Sequence, residues 1–126
     1  GPFAVDPAPV IDPADDDRPG ALGAGSVKVI RADDGFVALQ NLISRDAAGT
    51  SRSALHLLGS ADGVRWRSAA ARPVLAPDEG WRRSHVYACD ARFRAADSRW
   101  YLYYNARDGW YKTRGKERIG RLVAPG

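Results

Sequence analysis

Imidazole, thiol and carboxyl groups crowd into one short stretch of this 126-residue chain, S-H-V-Y-A-C-D, residues 84–90. Asp90 is the central member: a carboxylate set within an apolar run is a candidate acid, base or acceptor for ligand hydroxyls. Its plain alternative is an ion pair with a neighbouring arginine such as Arg92. His85 lies five positions earlier, and strand alternation puts residues five apart on opposite faces. A His–Asp relay therefore forms only if a bulge intervenes. Cys89 is the single cysteine, which excludes an intrachain disulfide and any multi-cysteine zinc site. It is expected to be a structural thiol, because a nucleophile needs a neighbouring base that the sequence does not show. Glu117, one of two glutamates, is the second candidate acid, weighed against a solvated strand-end residue paired with Lys116 or Arg118.

Side chains that could shape a pocket surround these groups. Trp81, Trp110 and Tyr111 fall in loops, where an aromatic ring can offer a stacking platform; Tyr87 shares the Asp90 strand. Arg82, Arg83 and Arg107 could donate to hydroxyl, carboxylate or phosphate groups. His56, in an apolar run, reads as a packed or hydrogen-bonded core residue. Asp12 and the run Asp15-Asp16-Asp17 read as a solvated acidic loop rather than a cation site, so neither metal nor cofactor is expected.

The elements that position these residues are short β-runs divided by turns. Ser26–Arg31, a turn at Ala32-Asp33-Asp34-Gly35, Phe36–Leu42, a polar loop over Ser44–Thr50, Ser53–Leu58, a hairpin at Ala61-Asp62-Gly63 and a short strand around Trp66 make one antiparallel meander. The pattern then recurs at a single offset. Pro9-Val10-Ile11 answers to Pro73-Val74-Leu75, Phe36–Asn41 to Trp100–Asn105, and Leu55–Leu58 to Ile119–Leu122. A self-similar unit of four short strands is the signature of a propeller blade. The expected fold is all-β: two four-stranded antiparallel propeller-type blades. Residues 1–13 form an extended segment (Gly1-Pro2 read as a tag scar), 14–72 the first blade and 73–126 the second. The second lacks its own outer strand and is completed by the N-terminal segment or by another chain, so a larger protein or a homo-oligomer is expected. A blade sandwiched between blades buries both faces, so the aromatics of Trp100–Tyr104 read as packing on either side.

Composition narrows the classes. A 44% hydrophobic and 27% charged chain is that of a globular domain. No apolar run approaches the roughly 18 residues that cross a bilayer, and no basic-apolar leader is visible, so a cytoplasmic protein without membrane contact is expected. The net charge of +4 hides an acidic first twenty residues and an arginine-rich part after Gly80. Arginine far outnumbers lysine, which partly reflects coding bias. The basic half with interleaved Trp and Tyr carries no recognised nucleic-acid motif, and nucleic acid is not the expected partner.

Two motifs are familiar. Ser60-Ala61-Asp62-Gly63-Val64-Arg65-Trp66 followed by Pro73-Val74-Leu75 resembles the S-x-D-G-x-x-W…P-V-L pattern of glycosidase-type five-bladed β-propellers, the arabinanase, xylosidase and fructosidase superfamily. Trp100–Trp110 followed by Glu117-Arg118-Ile119-Gly120 is similar to the W-Y-L-Y-Y-N-A…R-I-G blade pattern of that group. The resemblance runs from Pro9 nearly to the end but covers only about two of five blades. It implies a channel lined by the innermost strands, here Gly25–Arg31 and Ser84–Phe93, with Asp90 facing it and Ser26 at the matching position one repeat earlier. Two carboxyl groups usually flank a glycosidic bond, about 5 Å apart for retention and roughly 6.5–9.5 Å for inversion. Asp90 and Glu117 are the candidates, with Trp81, Arg83, His85, Tyr87, Arg107 and Trp110 as ligand contacts and a carbohydrate or other small molecule as partner. The alternative is a non-hydrolytic small-molecule binder, or a repurposed tailoring protein, built from a two-blade remnant.

Overall fold

The computed structural model of the protein describes residues 2–15, 20–109 and 114–126. The fold is all-β. Strands β1 (Ala21–Ala32), β2 (Gly35–Arg45), β3 (Ser51–Ser60) and the two-residue β4 (Arg67–Ser68) form one antiparallel meander. A second is built from β5 (His85–Arg94), β6 (Arg99–Arg107) and β7 (Glu117–Pro125). A parallel bridge between Ser53 and His85 joins them.

Local chemistry sets the turns. Gly35 closes the β1–β2 hairpin at φ 137°, and a Cβ there would strike the Ser60 carbonyl. In the S-x-D-G-x-x-W segment, Asp62 Oδ1 accepts from the Val64 and Arg65 amides while Asp62 Oδ2 pairs with Arg65 at 2.8 Å. Those amide hydrogen bonds, ahead of the arginine, hold the Asp62 carboxyl far below the ordinary range. Trp66 donates its indole N–H to the Gly63 carbonyl, so the tryptophan closes the turn and the strand begins one residue later, at Arg67. β1 begins at Ala21, five residues ahead of the Ser26–Arg31 run expected from the sequence. Two register shifts, at Ala21/Gly23 and Ala24/Val27, let these Gly-rich first residues follow the end of β2.

The core lies between the meanders. Leu39 and Leu55 from the first face Val86, Ala91, Leu102, Tyr104 and Ala106 from the second. The alternation Trp100-Leu102-Tyr104-Ala106 is the period-2 pattern of a half-buried strand. Two polar side chains close the seam: Asn41 Nδ2 and Ser53 Oγ both donate to the Val86 carbonyl, at 3.1 and 3.0 Å. The opposite face of the second meander is open, with Tyr103 46% and Ile119 65% exposed. The sequence predicts burial of both faces of this meander; one is buried, because nothing described stacks beyond the other. The N-terminal segment does not fill the gap. Residues 6–10 line a cavity with Val64–Arg67 of the first meander, and β7 pairs only with β6 among the described residues. Val74 and Leu75 likewise bond to the first meander, through the backbone of Leu55.

Pairing registers in the two meanders coincide. Asn41 opposes Leu55 as Asn105 opposes Ile119, so both strands are displaced by the same full repeat. On the inner strands the displacement is shorter by two positions, because Ala32 pairs with Gly35 across two turn residues whereas Arg94 pairs with Arg99 across four.

Candidate functional site

That difference in hairpin length moves the counterpart of Asp90. Asp90 pairs with Tyr103, and Leu39, which lies one repeat before Tyr103, pairs with Lys28. The residue matching Asp90 is therefore Lys28 and not Ser26; the longer second hairpin breaks the uniform spacing. Lys28 and Asp90 are in direct contact, Nζ to Oδ1 2.6 Å, while Arg92 Nε holds Oδ2 at 2.9 Å. The bond from Lys28, then that from Arg92, keeps the Asp90 carboxyl below its ordinary range against the opposing effect of partial burial. Asp90 is thus an anion at neutral pH. The two pairs persist above the ordinary carboxyl pKa and are lost as pH falls through the lowered one. A carboxylate so held can accept a hydroxyl proton or stabilise positive charge; it cannot serve as the proton donor.

A bulge does intervene on β5. Tyr87 pairs with Asn105 and Cys89 with Tyr104, leaving Ala88 as an extra residue at φ 34°, a region that β-carbon-bearing residues seldom adopt. His85 pairs with Arg107 and Asp90 with Tyr103, four positions apart on β6, so His85, Tyr87 and Asp90 share one face. The counterpart bulge falls at Gly25-Ser26 on β1, at the same place in the other inner strand. Beside Ala88 a small hollow of about 250 Å³ is lined by Asp90, Tyr103, Asn105 and Ile119 among others. Cys89 points the other way, against the core, where burial pushes its thiol up and leaves it protonated.

His85 sits at the far end of the strand, its Nδ1 3.1 Å from Ser84 Oγ. Burial, then Arg107 and Arg52, lower its pKa, so it is neutral at pH 7. Ser84 is fully buried, its single hydroxyl proton shared between the Arg107 and Gly109 carbonyls at 2.8 and 2.9 Å, which ties the start of β5 to the end of β6. Arg83 donates to the Asp108 carbonyl at 2.8 Å, and Arg107 contacts the Arg114 carbonyl. Glu117 lies 3.8 Å from Arg107. Asp90 and Glu117 are four residue rows and two strands apart, roughly 16 Å by strand geometry, so these two carboxyl groups do not flank one bond.

Trp81 is not a free platform. It lies in the 3-10 turn Gly80–Arg82, with ring centroids 6.0 Å from Tyr104 and planes 9° apart, and Gly120 leaves the room that both rings occupy. Asp78 pairs with Arg82 beneath it, and Arg82 donates to the Tyr104 hydroxyl at 3.3 Å. His56 is half-buried opposite Gln40. Trp110 and Tyr111 lie outside the described residues. Among the described residues, no group of three or more His, Cys, Asp or Glu could hold a metal ion. Lys28 is the site residue that sequence reasoning missed, and comparing the two hairpin lengths is the signal that finds it.

No family model and no curated protein matches the chain. Two solved structures do, one described as a complex of BT0996 with RGII and one as "Glycoside hydrolase". Each has a TM-score of 0.69 and 14% sequence identity over 91% of this chain. The fold is similar to that of these two proteins. The chain spans 34% of the length of each neighbour, and at such identity the likeness is one of architecture.

Proposed function

We propose that this chain is a two-blade segment of a β-propeller that handles glycans, and that ligand is read on the face of β5 that carries Tyr87 and Asp90. The observation that carries this reading is the Ala88 bulge, which turns Asp90 onto that face beside a hollow while Lys28 and Arg92 keep it ionised. The fold likeness to a glycoside hydrolase supports the ligand class. Asp90 acts as the anionic partner, a base or a hydroxyl acceptor. The proton donor for hydrolysis comes from another blade, because Glu117 is too distant to pair with Asp90.

The test is a panel of chromogenic glycosides and unlabelled oligosaccharides, run with the protein and with Asp90→Asn. Loss of glycan binding or cleavage in Asp90→Asn, with unchanged circular dichroism, supports the assignment. A protein that neither binds nor cleaves any member of the panel overturns it. The separation of Asp90 from Glu117 also favours a second reading, in which the chain binds sugars without cleaving them. Saturable binding with no product release then distinguishes the two.

A further blade, supplied by another copy, would stack on the open face of the second meander, where Tyr103, Ile119 and Val123 are exposed, so the hollow beside Asp90 would then lie between two blades and be walled in part by that copy. Light scattering at micromolar concentration is expected to give a mass above 13.7 kDa. A stable monomer would exclude assembly through that face.

A further inference from the structure

A larger hollow lies near the His85 end of β5, where Asp108, Gly109 and residues 114–118 come beside Arg83. It has a volume of about 640 Å³ and is lined by Arg83, Arg114, Lys116 and Arg118, with Asp108 as the acidic residue among them. Four cations against one carboxylate leave a strong positive excess in a concave surface, the arrangement that concentrates anions. Nor is the cluster a loose fringe. Asp108 Oδ1 accepts the Lys116 amide at 2.8 Å and its Oδ2 accepts Arg118 at 3.0 Å, while Arg83 is fixed to the Asp108 carbonyl. Gly109 and Gly115 approach so closely that a Cβ on either would strike the other strand of the loop. Asp108 offsets one of these charges through its ion pair with Arg118, and the lining keeps a formal excess of three positive charges.

We propose that this hollow is an anion subsite that takes the carboxylate or phosphate group of a small ligand, with Arg83, Lys116 and Arg118 as donors. Planar guanidinium groups fixed by the loop suit a two-oxygen acceptor, and Lys116 supplies an exposed point charge. On the glycan reading given above, the ligand is an acidic rather than a neutral sugar. The anion site itself does not require that reading.

Calorimetric titration at low ionic strength with sodium glucuronate, glucose and inorganic phosphate tests the proposal, each with the chain and with Lys116→Glu. Lys116 is exposed and its side chain carries no hydrogen bond among the described residues, so the variant is expected to fold; Arg118→Gln, checked by circular dichroism, is the second variant. Glucuronate is expected to bind, glucose not, and Lys116→Glu to weaken binding about tenfold, the loss of one charge-assisted contact. Binding of phosphate without any sugar keeps the anion site and removes the acidic-sugar ligand. Absence of binding by either anion, or binding unchanged in both variants, overturns the site. Neutral-glycan binding in that case leaves the glycan reading standing alone.

Discussion

Leu55→Ala lowers the melting temperature by about 10 °C, the largest stability loss expected of any single truncation in this core. Leu55 is 0% exposed and sits where three elements converge. Its side chain packs in the cluster with Leu39 and Val86, and its backbone opposes Asn41 on one side and bonds Val74 and Leu75 on the other. Hydrogen bonds on both sides stop the strand from moving inward, so the cavity left by the missing methyls stays open. Such sites lie in the middle of the 2–5 kcal/mol range for buried leucine truncation, about 3 kcal/mol. At this chain length each kcal/mol corresponds to about 3–5 °C. Thermal melts followed by circular dichroism provide the measurement, with Leu22→Ala as the control, since Leu22 is half-exposed. Equal shifts for the two variants would mean that the seam between the meanders is not the core.

The second large effect is expected from one added methyl group. Gly25 lies at the β1 bulge with its Cα against Asn41, and a Cβ there would collide with Asn41 Oδ1 and sit 3.2 Å from the Asn41 carbonyl. Asn41 cannot yield easily, because its amide is the donor that reaches across the seam to Val86. Gly25→Ala therefore forces either strain in β1 or loss of that bond; Ser53 still serves the Val86 carbonyl, but the buried Asn41 amide loses its partner, at a cost of about 1–3 kcal/mol. Overpacking adds a penalty of similar size. Hydrogen exchange reads this specifically: amides along β5 lose protection relative to those of the β6–β7 pair. Uniform loss across both meanders would point to global destabilisation instead of an opened seam.

Much of the architecture is legible in the chain. Alternating apolar residues in F-V-A-L-Q-N and W-Y-L-Y-Y-N mark β2 and β6, and the glycine and aspartate turns mark the hairpins between β1 and β2 and after β3. The common offset of the repeat predicts a shared register on β2–β3 and β6–β7, because paired positions on those strands are equally separated along the chain in both meanders. It fails on the inner strands, where turn length varies without disturbing the pairing beyond it. Ala95-Ala96-Asp97-Ser98 and Asp33-Asp34 close equivalent hairpins with different numbers of residues, so Ser26 is assigned where Lys28 stands. The bulge at Ala88 is invisible for another reason. Bulges are marked by glycine only when the extra residue needs a left-handed backbone that nothing else can tolerate, and here an alanine adopts one. Trp81 looks like a loop aromatic because its partner, Tyr104, lies far along the sequence, on β6, and the space for both depends on Gly120 of β7. Contacts of that range leave no local pattern.

The exposed apolar residues at the two ends of the molecule are matched in an unexpected way. Val27 and Val29 on β1, 47% and 45% exposed, occupy the positions that Cys89 and Ala91 occupy on β5, facing the seam. Tyr103 and Ile119 occupy those of Leu39 and Leu55, which receive them. The chain thus carries at its ends the two separated halves of its own internal interface. Any copies joined through them would associate heterologously, head to tail, instead of across a dyad. Whether such an array stops is then a matter of arithmetic: it closes into a ring if the rotation per copy divides a full turn, and otherwise it continues as a filament.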